Sequence, residues 1–109
     1  MSSPRAPVGD RRFASFAAFY PFYLAEHADR TCRRLHFAGS TISLACVATT
    51  VATGQAGWLL AAVVSGYAFA WVGHFFFEKN RPATFKYPFY SFVGDWVMYK
   101  DLLTGRIRL

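Results

Sequence analysis

Residues 35–77 read LHFAGSTISLACVATTVATGQAGWLLAAVVSGYAFAWVGHFFF, and no Asp, Glu, Lys or Arg occurs among them. A helix needs roughly 20 apolar residues to cross the hydrocarbon core of a bilayer, so the run is long enough for two crossings. It is interrupted once, by Gly54-Gln55-Ala56-Gly57. The glycines permit a tight reversal there. The stretch therefore reads as a hairpin of two spans, about 37–53 and 58–77. The first is rich in small and hydroxyl residues, which suit close helix packing in lipid, and Ser65, Gly66 and Ala70 offer the second span a matching stripe.

Composition agrees with this reading. The 109 residues are 54% hydrophobic, 19% aromatic and only 17% charged, against about 25% charged in an ordinary soluble domain. A soluble chain this short has one modest core in which to bury such an excess. The net charge of +6 does not point to nucleic acid, because the basic residues gather beside the ends of apolar segments and no nucleic-acid module is visible. Anionic lipid headgroups are the expected partner. Cys32 and Cys46 lack zinc-type pairing and read as free thiols.

Outside the hairpin the pattern changes. Residues 1–15, with Pro4, Pro7, Gly9 and several arginines, read as a disordered tail with no cleavable signal. Residues 16–104 form a single membrane domain. About 13–28 and about 89–103 are too short or too interrupted to span and read as interfacial helices, with Pro21 expected to bend or restart the first. The polar run Glu26 to Arg34 marks a membrane boundary, and Pro82 and Pro88 argue for a structured loop after the second span. The fold class is thus an all-α membrane protein, a two-helix transmembrane hairpin with flanking interfacial helices. Arg30, Arg33 and Arg34 precede the first span and Lys79, Arg81 and Lys86 follow the second, while the connecting turn carries no basic residue. Both termini are therefore expected on the cytosolic face. The helix faces left free by a two-span hairpin allow homo-oligomers.

The histidines carry the chemical interest. Hairpin topology sets His36, at the start of one span, at the depth of His74, at the end of the other, and a bend after His27 would let it join them. Glu78 follows His74 by four residues, one helical turn. Imidazoles with a carboxylate form the ligand set of non-haem iron, zinc or manganese, and Glu26 and Asp29 are placed to orient His27. Spacing alone leaves this open against histidines that merely bond to backbone or headgroups.

Read whole, FYLAEHADRTCRRLHFAGS (22–40) and WVGHFFFEKNRPATFKYPFYSFVGDWVMYKD (71–101) resemble the small membrane proteins related to the fungal 2-hydroxy fatty acid dioxygenase of sphingolipid breakdown. The most specific pieces are Gly-His-x-x-x-Glu-Lys-x-x-Pro-Ala at Gly73 to Ala83 and the histidine pair His27 and His36. The resemblance implies an Fe(2+)-dependent oxidation that shortens a 2-hydroxy fatty acid by one carbon. It carries His27, His36 and His74 as catalytic metal ligands, Glu78 as a fourth ligand or supporting group, and Gly73, Asn80 and Pro82 as motif residues. Arg33 and Arg34 are candidates for gripping the substrate carboxylate through bidentate hydrogen bonds. The chain departs from the fungal pattern in Ala28-Asp29-Arg30 after the first histidine and in having fewer apolar spans, which fits a bacterial branch and so implies a bacterial inner membrane as the location. Two rivals accompany this reading: a non-enzymatic membrane hairpin that binds lipid or a partner protein, and a metal-dependent enzyme of another lipid reaction.

Overall fold

The computed structural model describes residues 12–109. Among them the chain is helical, without strands. Helices α1 (Phe16–Ala25) and α2 (Arg30–Thr53) are followed by α3 (Gly57–Val72), which continues through a π-helical turn over Gly73–Glu78. A 3-10 turn over Ala83–Phe85 then leads into α4 (Pro88–Leu103). Two of these helices, Arg30–Thr53 and Gly57–Glu78, are long and apolar enough to cross a membrane.

The hairpin turn falls at the glycines. Gly54 caps α2 in the left-handed region, at φ 71°, where a side chain is disfavoured. The two helices then run antiparallel at close range. A Cβ on Gly39 would stand 2.7 Å from Phe69 Cβ and 3.2 Å from the Ser65 carbonyl oxygen, so only glycine lets the backbones approach there. One turn along, Ser43 donates its hydroxyl to the Ala62 carbonyl at 2.6 Å and sits against Gly66. This hydroxyl stitch between apolar helices is the packing that small residues make possible in lipid. Val51, Leu60 and Val63 remain exposed, an apolar surface that would suit a hydrocarbon surround.

Helices α1 and α4 form a second layer with its own aromatic core, built from Phe19, Tyr23, Tyr87, Met98 and Leu102. Gly94 admits the Tyr23 ring at about 3 Å from where its Cβ would lie. The Tyr20 hydroxyl donates to Asp101 at 2.7 Å. Helix α4 also meets the hairpin, where Tyr99 stacks on Phe37 and its hydroxyl lies 2.9 Å from that of Thr41.

Three boundaries differ from expectation. The polar run before the first span is itself helical: the Asp29 carboxylate accepts from the Cys32 N–H at 2.9 Å, capping a helix that begins at Arg30 rather than near 37. Helix α1 is shorter than 13–28 and runs through Pro21. The missing N–H costs one bond to the preceding turn, which the full burial of Phe19 and Tyr23 on either side of it offsets. Of the tail expected over 1–15, residues 1–11 lie outside the described residues. At its far end Phe13 packs on Phe19, Phe22 and Tyr87, and Ser15 caps α1 by accepting from the Ala18 N–H.

Candidate metal centre

Each histidine arrives on a different part of the chain. His27 lies in the turn that links α1 to α2, His36 stands on α2, and His74 sits in the π-helical turn that ends α3. Gly73 makes the last placement possible, because a Cβ there would lie 2.8 Å from Cys32 Sγ and 3.1 Å from its Cα. The backbones of α2 and α3 thus come into contact one residue before His74. All three histidines are buried, at 1%, 6% and 2% exposure respectively, where an unsatisfied polar ring carries a substantial cost.

Their hydrogen bonds fix which nitrogen carries the proton. His27 Nδ1 lies 2.6 Å from the Tyr23 carbonyl, and His36 Nδ1 lies 2.9 Å from the Cys32 carbonyl. His74 Nδ1 lies 2.7 Å from Asn80 Oδ1. A carbonyl oxygen only accepts, so each Nδ1 bears a hydrogen and each neutral ring presents a bare lone pair at Nε2. Those lone pairs face one another: His27 Nε2 is 3.2 Å from His36 Nε2 and 2.9 Å from His74 Nε2. The rings meet nearly at right angles, with centroids 4.5–5.0 Å apart. Three acceptors cannot satisfy one another, so the arrangement calls for a cation.

The donor set fits a metal. Nitrogen ligands about 2.1 Å from a common ion stand roughly 3.0 Å apart when mutually perpendicular, close to the two Nε2 separations from His27. The ligand atoms of His27, His36 and His74 all lie within 4.8 Å of one another, and the group can hold a metal ion. Backbone and amide acceptors behind the imidazoles are the usual means of orienting metal-binding histidines. Burial, followed by the two neighbouring imidazoles, pushes His27 well below the ordinary imidazole range, which keeps its ring neutral.

Asn80 closes the third of these contacts by a local device. Lys79 takes a left-handed conformation, at φ 60°, which turns the chain back after Glu78. The Asn80 N–H then donates to the His74 carbonyl at 3.0 Å while its side chain reaches the ring. Its amide also donates to the backbone oxygen of Glu26 at 3.1 Å and to its carboxylate at 2.7 Å. One asparagine therefore ties the end of α3 to the turn that carries His27.

Other candidates fall elsewhere. Glu78 is not in the group of three; its carboxylate accepts from the Asp29 N–H at the start of α2 and so braces the helix pair. Asp29 caps α2, and Glu26 acts on His74 through Asn80, so neither orients His27 as expected. Arg33 and Arg34 do not line the cavity at the histidines, and Arg34 is exposed. Pro82 does line it, just ahead of the 3-10 turn.

That cavity, about 270 Å³, begins at the three histidines and runs between α2 and α3 along Ser40, Leu44 and Val47 on one side and Ala62, Gly66, Tyr67 and Ala70 on the other. Helix α4 covers its polar end with Ser91, Phe92, Asp95 and Trp96. Two residues that the sequence did not single out matter here. The Tyr23 ring stacks on His27 with centroids 4.0 Å apart, and its hydroxyl donates to Asp95. Burial pushes the Asp95 carboxyl up to about 7, with the Tyr23 hydrogen bond opposing the rise. The available signal was a lone carboxylate beside a glycine in an aromatic helix, which by itself resembles any interfacial charge.

No curated protein and no solved structure shows significant similarity to the chain. A family model described as 2-hydroxy-palmitic acid dioxygenase Mpo1-like matches residues 13–107, a range that includes all four helices, the three histidines and Asn80. By that match the chain belongs to the Mpo1-like family.

Proposed function

We propose that this chain is an iron(II)-dependent dioxygenase that shortens 2-hydroxy fatty acids by one carbon at a membrane surface. The observation that carries this reading is the convergence of three buried imidazole lone pairs, each with its Nδ1–H engaged, at the polar end of an otherwise apolar cavity. The family match supports the same chemistry through its description.

His27, His36 and His74 hold the metal in this reading. Iron(II) bound there supplies activation of dioxygen and a Lewis-acid seat for the hydroxyl and carboxylate of the substrate. The protein supplies position. Its ligands are preorganised by Tyr23, Cys32 and Asn80, so little rearrangement accompanies loading. The walls of α2 and α3 take the acyl chain, with Leu44, Val47 and Ala62 in contact with it. Binding both ends of an amphiphile would hold the carbon next to the carboxylate at the histidine end of the cavity, a proximity effect. Trp71 lines the same cavity, whereas Phe75 and Phe76 are exposed and face outward, where they suit lipid. Helices α2 and α3 cross the bilayer, and the basic residues at their outer ends hold the site at the cytosolic face of the membrane.

The test is metal and product analysis on detergent-purified protein loaded anaerobically with iron(II). Wild type is expected to retain about one iron per chain and to convert a 2-hydroxy fatty acid to a product one carbon shorter, and His74→Ala to lose both. Full activity in His74→Ala would overturn the reading. Absence of specific metal from wild type would leave a lipid-binding hairpin as the better account, and a product of unchanged chain length would assign the metal to a different lipid reaction.

A further inference from the structure

We infer that Asp95, anchored by the Tyr23 hydroxyl, binds substrate by donating a hydrogen bond from its carboxyl group to the carboxylate end of the fatty acid. This assignment rests on the function proposed above and names a residue of the same site that lies outside the metal ligands.

Placement comes first. Asp95 lines the cavity together with His27, His36 and His74, and among the described residues that line it, Asp95 is the one carboxyl group. It stands apart from the three histidines, whose ligand atoms form a group without it. The cavity of about 270 Å³ that both line is the space a ligand would share with them. The polar end of a fatty acid is the part that must lie there, because the apolar walls lead away from the histidines between α2 and α3.

Orientation follows from two contacts. Tyr23 is fully buried, with its ring stacked on His27 and packed against Gly94, the residue before Asp95. Its hydroxyl donates to one oxygen of Asp95, which occupies that oxygen and fixes the rotamer. The second oxygen makes no hydrogen bond among the described residues, so it is free for a ligand. Tyr23 also accepts from His27 Nδ1 through its carbonyl, so one residue positions both a candidate metal ligand and the carboxyl group that lines the same cavity.

The chemistry then selects the partner. An ionised carboxylate would repel a fatty acid headgroup, whereas a carboxylic acid donates to it in a charge-assisted bond. Burial favours the acid form, raising this group to about 7. Serine would donate as well but has no second polar atom for Tyr23, whereas a carboxyl group, or the amide of an asparagine in its place, takes the Tyr23 hydrogen on one atom and donates from the other.

The experiment measures equilibrium binding to the full chain in detergent, with iron content determined on the same samples. Ligands are a long-chain 2-hydroxy fatty acid and the matching 1,2-diol, which keeps the chain and hydroxyl but lacks the carboxylate. Asp95→Ala is expected to retain iron and to weaken the acid by roughly ten- to a hundredfold, with little change for the diol. Asp95→Asn, which keeps a donor, is expected to recover most of the acid affinity. Equal weakening of acid and diol in both variants would mark Asp95 as merely structural and overturn the assignment, as would unchanged acid affinity in iron-replete Asp95→Ala. A wild type that binds neither iron nor acid would overturn the functional reading and this assignment with it. A wild type that binds both, beside an Asp95→Ala protein that does too, would overturn this assignment alone.

Discussion

At the scale of single residues, the site depends on which atoms stand behind the three histidines. Two of those atoms are backbone carbonyls and mutation cannot remove them, but the third belongs to Asn80. Asn80→Ala removes the acceptor that fixes the His74 tautomer and the tie to Glu26. Loss of such a supporting contact typically weakens metal binding by about 10- to 100-fold, so iron(II) titration of this variant is expected to show a fall in that range with its folded helix content retained. The three histidines were legible in the sequence because hairpin topology brings the ends of two spans together. The role of Asn80 was not, because it depends on the left-handed turn at Lys79, and a lysine does not announce that conformation. Asp95 permits a pH prediction. Its carboxyl rises from 3.8 to about 7 on folding, so the folded state binds its proton more tightly than the unfolded chain does. The resulting stabilisation is full below the unfolded value and is lost as pH rises through the folded one. Thermal midpoints in detergent should therefore fall in wild type relative to Asp95→Asn between about pH 4 and about pH 7. A difference between the two proteins that stays constant across this window would refute the burial of an acid there.

At the scale of elements, glycine at two points sets how closely α2 and α3 approach, and the two points have different consequences. Gly39 lies midway along the pair against Ser65 and Phe69, while Gly73 lies at the site end against Cys32. Adding a methyl group at either position forces the backbones apart, an overpacking that typically costs about 1–3 kcal/mol. Gly73→Ala also displaces His74 relative to His36. It is expected to lower both the melting temperature and the iron content, whereas Gly39→Ala lowers the former with a smaller effect on the latter. Adding Cys32→Ala to Gly73→Ala removes the sulfur at 2.8 Å but leaves the Cα at 3.1 Å, so partial recovery is expected. Full recovery would show that the backbone contact is not what limits the approach. The hairpin itself was plain in the sequence, since the uncharged run over 35–77 is interrupted only at the glycines where the turn forms. The start of α2 was not, because charge reports where a helix leaves the apolar layer and not where it begins. Asp29 caps the helix about two turns before the uncharged run does anything visible. The course of α1 through Pro21 was hidden for a similar reason: the prolyl penalty is local, and the aromatic burial against α4 that offsets it is tertiary.

At the scale of the whole molecule, the histidines draw together the turn after α1, α2 and the end of α3, which Asn80 also ties to that turn, and if the two long helices cross a membrane this geometry puts their outer ends on one side of it. His36 and His74 share a depth because the helices are antiparallel, and α1 and α4 must then pack beside that same end, as Tyr23 and Asp95 do. The turn at 54–57 is left on the far side, without basic residues to hold it back. The chain offers a clean way to test this. Its two cysteines, Cys32 and Cys46, are free and buried, at 0% and 8% exposure, so neither should react with a bulky, membrane-impermeant maleimide in intact cells. Gln55 is exposed in the turn and Arg106 is exposed beyond α4. With both termini cytosolic, Gln55→Cys should label from outside intact cells, and Arg106→Cys only after the membrane is opened. The reverse pattern would place the histidine site on the outer face. Labelling of both positions from outside would mean that the two apolar helices do not span, and the exposed Val51, Leu60 and Val63 would then need some other apolar cover.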